Sequence, residues 1–243
     1  RGSERSRKLA DVVREVEQVA AEGMTEVVLL GQTVNSYYDG ERGFADLLRA
    51  VGAVPGIQRV RFTSPHPNDF SPAVIEAMAE VDAVCEHVHL PMQSGSNSVL
   101  KRMLRRYTRE GYLQCVDRLR AAIPGLALTT DVIVGFPGET DADFEETLDV
   151  VRAVGFDDAY TFKFSPRDGT PATRMPVEMT VPDEVATERL ARLIDTVRRG
   201  ARERNMTLLG ARREVLVEKG ARRGELLQAR TRGMTLMRLP LTV

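Results

Sequence analysis

Tryptophan is absent from the 243 residues, aromatics make up only 5%, and there are just two cysteines. Cys85 and Cys115 lie far apart and belong to no CxxC pair, so the spacing of a metal or redox site is missing and a disulfide framework is excluded by count. Both read as small buried hydrophobes. No stretch approaches the roughly 18 uninterrupted apolar residues that span a bilayer, and the first residues are polar and basic without the apolar centre of a secretion signal. A cytoplasmic chain with no membrane contact is the expectation. A Walker loop, a GxSxG elbow and a carboxylate pair with obvious roles are also missing, so chemistry carried by a cofactor is expected.

What is present is a regular alternation. Leu9, Val12, Val13, Val16 and Val19 form one helical stripe that Gly23 can end, and "TEVVLLG" follows as a compact apolar strand. The pattern repeats through strands "QRVRFTS", "HVHLPM", "LALTTDVIVGF" and "DAYTFKFS", each separated from the next by helical segments. Short strands, apolar on both faces and joined by helices, predict a parallel sheet with helices outside it. Ser71 before Pro72 is a capping hydroxyl ahead of a first-turn proline. After a loop rich in Pro, Gly and Thr, an amphipathic helix is expected from about Asp183 to about Asn205. Beyond Gly210 three short alternating segments predict a small antiparallel module, with too few strands to close a barrel. The expected division is residues 1–210 and 211–243.

In barrels of parallel strands the loops after the strands build the site. Here those loops supply Gly31, Gln32, Thr33 and Asn35; Thr63, Ser64, His66, Asn68 and Asp69; Gln93, Ser94 and Ser96; Asp131, Gly135, Gly138 and Glu139; and Ser165, Arg167, Asp168 and Thr170. Neutral donors, acceptors and glycines dominate, which suits a zwitterionic ligand bearing ribose and amino-acid groups. Gln32 and Asn35 could equally satisfy turn backbone, and Gly135 with Gly138 could be no more than a tight turn. His87 and His89 share one strand face, where packing is favoured over metal binding. A cofactor-free barrel enzyme using His66 and Asp69 as acid and base is a competing reading.

Charge is unevenly distributed. From Arg198 to Arg238 there are 12 Lys and Arg against 4 Asp and Glu, leaving 22 against 31 upstream. Arg212, Arg213, Lys219, Arg222, Arg223, Arg230 and Arg232 interrupt the last β segments in a manner suited to phosphate contacts, with a solvated face as the plain alternative. Lys101, Arg102, Arg105, Arg106 and Arg109 form a second basic cluster.

The ordered set "LLGQTVNSY", "FTSPHPNDF", "HLPMQSGSNSVLKRMLRRYTREGY", "DVIVGFPGETDADFEETL" and "FKFSPRDGTPA" resembles the radical SAM methylthiotransferases, and the likeness is to the MiaB-type branch that acts on tRNA. It runs from about Arg1 to Gly210. The basic β segment resembles the start of a TRAM domain, a small RNA-binding barrel. Ser94 after Gln93, where the ribosomal-protein branch typically has histidine, favours the tRNA branch.

The resemblance implies an α/β fold: a partial (βα)6 TIM-like barrel followed by a truncated all-β TRAM-like module. It implies S-adenosyl-L-methionine and, in a full-length enzyme, two [4Fe-4S] clusters. The implied reaction abstracts hydrogen from C2 of N6-isopentenyladenosine beside the anticodon and installs a methylthio group. N6-threonylcarbamoyladenosine is the alternative substrate, and a module that only binds RNA is the alternative role. The tRNA anticodon stem-loop and an electron donor such as flavodoxin or ferredoxin are the implied partners of a monomeric enzyme. The CxxxCxxC ligand motif is not among these residues, so the resemblance reads the sequence as a piece of a longer enzyme that lacks one barrel strand. Two open sheet edges, and self-association of such a piece, are then expected. Position by position, Gly31 and Gln32 fall at the methionyl amino group, Gln93 and Ser94 near methionyl and ribose, and Asp131 and Gly135 near ribose and adenine. His66, Arg167 and Thr170 fall on the substrate side, with Arg212, Arg213, Lys219, Arg222 and Arg223 toward RNA.

Overall fold

The computed structural model describes residues 5–220 and 226–240. Five parallel strands form an open arc: β1 (Glu26–Leu29), β2 (Arg59–Phe62), β3 (His87–His89), β4 (Ala127–Val134) and β5 (Asp158–Lys163). β1 pairs with β2, and β3, β4 and β5 pair in that order. The two groups are joined by backbone hydrogen bonds from Val60 N–H to the Ala83 carbonyl (2.7 Å) and from Cys85 N–H to the Val60 carbonyl (3.0 Å). Helices α1 (Leu9–Ala21), α2 (Phe44–Gly52), α3 (Pro72–Glu80), α4 (Asn97–Arg102), α5 (Arg109–Ala122) and α6 (Asp141–Val154) alternate with the strands, and α7 (Asp183–Met206) follows them. Among the described residues β1 and β5 are the two end strands, and a groove of about 920 Å³ runs along β1 and α1.

Strand alternation decides what faces where. Val60, Val88, Leu128, Val132 and Val134 are fully buried in the apolar core that includes helix residues such as Leu48, Val51, Leu119 and Leu148. Their neighbours Arg59, Arg61, His87, His89, Thr129 and Asp131 therefore point to the inner side of the arc, because successive strand residues alternate faces. On β5 the same alternation turns Tyr160 and Phe162 inward, in register with Asp131 and Ile133.

A separate antiparallel sheet is formed by β6 (Val215–Gly220), β7 (Leu226–Thr231) and β8 (Leu236–Pro240), in the order β6-β7-β8. The β7–β8 turn docks on the N-terminal ends of the barrel strands. Arg61 donates to the carbonyls of Arg232 (2.7 Å) and Thr231 (3.0 Å), and Arg59 donates to that of Arg230 (2.9 Å). Glu26 accepts from both Arg61 (3.0 Å) and Arg230 (2.7 Å), while Arg232 pairs with Glu86 (2.9 Å) and donates to the carbonyls of Asp82 and Val84. Arg230 and Arg232 are thus held by the barrel floor, which corrects their reading as phosphate contacts. Their spacing along the sequence shows a basic tail, but not the carboxylates that meet it after the chain folds back.

Candidate functional site

The first two loops are locked together by Asn35. Its Nδ2 donates to the His66 carbonyl (2.9 Å) and its Oδ1 accepts from the His66 N–H (2.8 Å), with the side chain in a residue only 5% exposed. Asn35 does satisfy backbone, as one reading had it, but that of the neighbouring loop rather than its own turn. His66 then packs edge-on against Tyr107, ring centroids 5.5 Å apart, and its Nδ1 accepts from Asn68 N–H. Asp69 lies 3.9 Å from that nitrogen. Gly31 and Gln32 are exposed in the first loop.

The third loop is bound into the sheet at Gln93. Its N–H donates to the Asp131 carbonyl (2.8 Å) and its carbonyl accepts from Ile133 N–H (2.9 Å), with φ at 68°. A left-handed backbone at a non-glycine residue costs energy and persists only where the surroundings impose it. The Gln93 carboxamide is nearly buried and makes none of the side-chain hydrogen bonds found among the described residues. Ser94 is placed otherwise than expected. It is 1% exposed and its hydroxyl meets that of Thr147 on α6 at 3.2 Å. Ser96 and Ser98 bond the carboxylate of Asp143, so the serine run docks α4 on the start of α6. Burial alone would raise Asp143, but hydrogen bonds from Ser96, Ser98 and Thr140 outweigh it and hold the carboxyl far below its usual range.

Between those serines, Gly95 admits the helix backbone. A Cβ there would stand 2.6 Å from the Glu146 carbonyl oxygen and 2.6 Å from Thr147 Cα, neither of which can rotate away. Gly95→Ala is expected to cost about 3 kcal/mol, the upper part of the overpacking range, measured by urea unfolding of the full-length protein.

On the inner face, Asp131 Oδ1 sits 3.3 Å from His89 Nε2, and the Thr129 hydroxyl lies within hydrogen-bond distance of both His89 Nδ1 (3.0 Å) and His87 Nε2 (3.1 Å). The Tyr160 ring meets His89 edge-on at 5.8 Å. These two histidines line the lumen instead of filling the core between strands and helices. Burial, then the nearby Arg61 cation, pushes His87 down to about 3. The folded value thus lies below the unfolded one of about 6.5, so stability contributed by neutral His87 is present above that value and declines as pH falls toward 3. His87→Asn is expected to flatten the acid limb of a pH–stability curve.

The fourth loop is shaped by packing. Gly135 has φ 73°, and a Cβ on it would reach within 2.7 Å of Ala186 on α7. Its N–H donates to the buried Glu139 carboxylate, which also accepts from Arg189 of α7 (2.9 Å). In the fifth loop Arg167 and Thr170 are joined by a hydrogen bond from the threonine hydroxyl to the arginine carbonyl (2.8 Å) and lie at the surface, with no bond to the other loops among the described residues. Arg212 and Arg213 are exposed ahead of β6. Of Lys219 only the backbone, on β6, is described; Arg222 and Arg223 lie outside the described residues.

The segment that carries β1 to β4 and the loops after them, rich in glycine, amide and hydroxyl groups, is matched by the family model of the radical SAM superfamily over residues 1–151. The chain belongs to the radical SAM superfamily. The tRNA-2-methylthio-N(6)-dimethylallyladenosine synthase of Caldicellulosiruptor saccharolyticus is 51% identical over 235 residues, covering 96% of this chain and 50% of that protein. The protein of the same name in a Parafrankia strain is 52% identical over 236 residues, covering 96% and 47%. The chain thus spans about half the length of the curated relatives it matches. The Escherichia coli coproporphyrinogen III oxidase, a radical SAM enzyme, superposes with TM-score 0.60 at 13% identity, covering 79% of this chain and 46% of that one, which shows the shared fold.

Membership of the superfamily implies use of S-adenosylmethionine and an iron–sulfur cluster. The residues present fit the first and not the second. Asp131, His89 and the free Gln93 carboxamide supply the acceptors and donors that an ammonium and ribose hydroxyls require. Cluster ligands must be thiolates. Cys85 and Cys115 lie buried ahead of β3 and within α5, and burial pushes both thiols up, Cys115 to about 11. No group of three His, Cys, Asp or Glu capable of holding a metal ion occurs among the described residues. Nor is any helix there long and apolar enough to cross a membrane.

Proposed function

We propose that this chain is the barrel of a tRNA methylthiotransferase that places a methylthio group on C2 of N6-dimethylallyladenosine beside the anticodon. Identity of 51% across nearly the whole chain to a synthase named for that product carries the reading. S-adenosylmethionine supplies the hydrogen-abstracting chemistry when bound. Asp131 and His89 hold its amino-acid or ribose groups from the lumen wall, and the first-loop residues Gly31 and Gln32 close over the methionyl end. The geometry favours the dimethylallyl substrate over the threonylcarbamoyl one. Tyr160 and Phe162 are 61% and 50% exposed on the inner face, an apolar wall beside the Asp131 carboxylate. A branched C5 chain packs on such a wall, whereas the threonyl carboxylate would meet like charge and apolar surface.

A cytoplasmic, monomeric enzyme with two clusters held by other segments, fed by flavodoxin or ferredoxin, completes the reading. Residues 211–243, with Arg212, Arg213, Lys219, Arg222 and Arg223, belong to a TRAM-like module that contributes RNA contacts. Nucleoside mass spectrometry of tRNA from a strain lacking the gene tests it: unthiolated N6-dimethylallyladenosine should accumulate. Loss of the methylthio form of threonylcarbamoyladenosine instead would replace the reading by its alternative.

A further inference from the structure

The end of α4 and its short connection to α5 carry cations that the fold leaves free. Four arginines of the two basic regions are engaged internally: Arg102 donates to the Gly138 carbonyl (2.9 Å) and lies 3.4 Å from Asp143, Arg204 pairs with Asp157 (2.9 Å), and Arg230 and Arg232 are locked into the barrel floor. Lys101, Arg105 and Arg106 differ. All three are exposed, and none takes part in a side-chain hydrogen bond or ion pair among the described residues.

Their backbone, by contrast, is fixed. Leu104 adopts φ 57°, Arg105 N–H donates to the Leu100 carbonyl (2.9 Å), and Asn68 of the second loop donates to the Arg106 carbonyl (2.8 Å). Next in sequence, Tyr107 is 8% exposed, packs on His66 and donates from its hydroxyl to the Met92 carbonyl (3.1 Å). The segment that carries the cations is therefore tied through Arg106 and Tyr107 to the second loop and to Met92, the residue before the Gln93 bend, at the rim of the barrel mouth, with little freedom to lose.

We propose that Lys101, Arg105 and Arg106 bind the phosphodiester backbone of the substrate RNA where it crosses the mouth. This rests on the reading of the substrate as tRNA. A base that enters the lumen beside His66 brings its flanking phosphates over this rim, and free cations on a preset backbone provide affinity without base readout.

The test uses the full-length protein with Lys101→Gln, Arg105→Gln and Arg106→Gln combined, and a fluorescent anticodon stem-loop RNA titrated by anisotropy at several salt concentrations. Affinity should fall at least tenfold at low salt, and the slope of log K against log salt should flatten by about 2 to 3, one phosphate contact for each cation removed. An unchanged melting temperature is expected, because the three side chains are exposed, and S-adenosylmethionine binding should be unaltered. Equal RNA affinity and equal slope in variant and wild type would overturn the proposal while leaving the enzyme reading intact. A wild-type protein that does not bind the RNA would overturn both. Weakened binding of an acidic electron carrier alongside unchanged RNA binding would also overturn it.

Discussion

Replacing Arg61 by alanine is expected to lower unfolding stability by about 3 kcal/mol and to loosen the antiparallel sheet on the barrel. Arg61 has a side chain only 5% exposed and lies in a strand, and its guanidinium serves three acceptors at once: Glu26 and the carbonyls of Thr231 and Arg232. Alanine leaves the Arg232 carbonyl unpaired beneath the turn, while that of Thr231 keeps the Met234 N–H (3.1 Å), and an unsatisfied buried acceptor costs about 1–3 kcal/mol. Glu26 keeps Arg230 at 2.7 Å, so its charge is not abandoned and the loss stays at the lower end of what breaking a buried pair produces. Urea unfolding of the full-length protein gives the total. Hydrogen exchange separates the two effects: amides of β7 and β8 should exchange faster while those of β4 keep their protection. Equal acceleration in both sheets would mean that the two parts unfold as one.

The second large effect is expected at Arg189. Its guanidinium, 6% exposed on α7, donates to the Glu139 carboxylate (2.9 Å) and carbonyl (3.1 Å) and to Asp141 (2.6 Å), with Phe144 beside it. Glu139 has only 2% of its side chain exposed. Arg189→Ala therefore strands a buried carboxylate, for which about 3–5 kcal/mol is the usual loss. Burial already lifts Glu139 above the ordinary carboxylate range, and the Gly135 N–H and Arg189 restrain that rise. Without Arg189 the folded value climbs further above the unfolded one. For a group raised on folding, stability is lost as pH rises through the folded value, so the deficit should be largest at neutral pH and shrink in acid. Pairing the change with Glu139→Gln should recover much of it, because the amide keeps the shape without the charge. Since the same residues set the turn after β4, the single variant should also weaken S-adenosylmethionine binding.

Both sites show why parts of this protein were legible from sequence and parts were not. Elements announced themselves locally: Ser71 does cap α3, accepting from Val74 N–H (3.3 Å), and the apolar runs became β1 to β5 in the order read. Loops after the strands likewise brought Gly31, His66 and Gln93 to one end of the arc. Long-range pairing carried no such signal. Arg61 meets the Thr231 carbonyl across 170 residues, so neither the inward arginines of "QRVRF" nor the internal role of Arg230 and Arg232 could be told from a solvated or phosphate-binding pattern. Ser94 looked like a ligand contact because a polar run after a strand often is one. Its partner Thr147 lies 53 residues onward on a helix whose docking depends on Gly95. Asp131 is legible as a site residue, but His89 as its partner is not, since only the β3–β4 register places them side by side. The alternating "HVH" was its one visible trace.

The most direct measurement is the mass of the nucleoside formed when full-length enzyme, reconstituted with iron and sulfide and supplied with S-adenosylmethionine and a reductant, acts on an anticodon stem-loop containing N6-dimethylallyladenosine. A product in which a methylthio group replaces the C2 hydrogen, formed by wild type and strongly reduced by Asp131→Ala with cluster absorbance unchanged, is the expected result. An unmodified nucleoside from a protein that cleaves S-adenosylmethionine and binds the RNA would contradict the account.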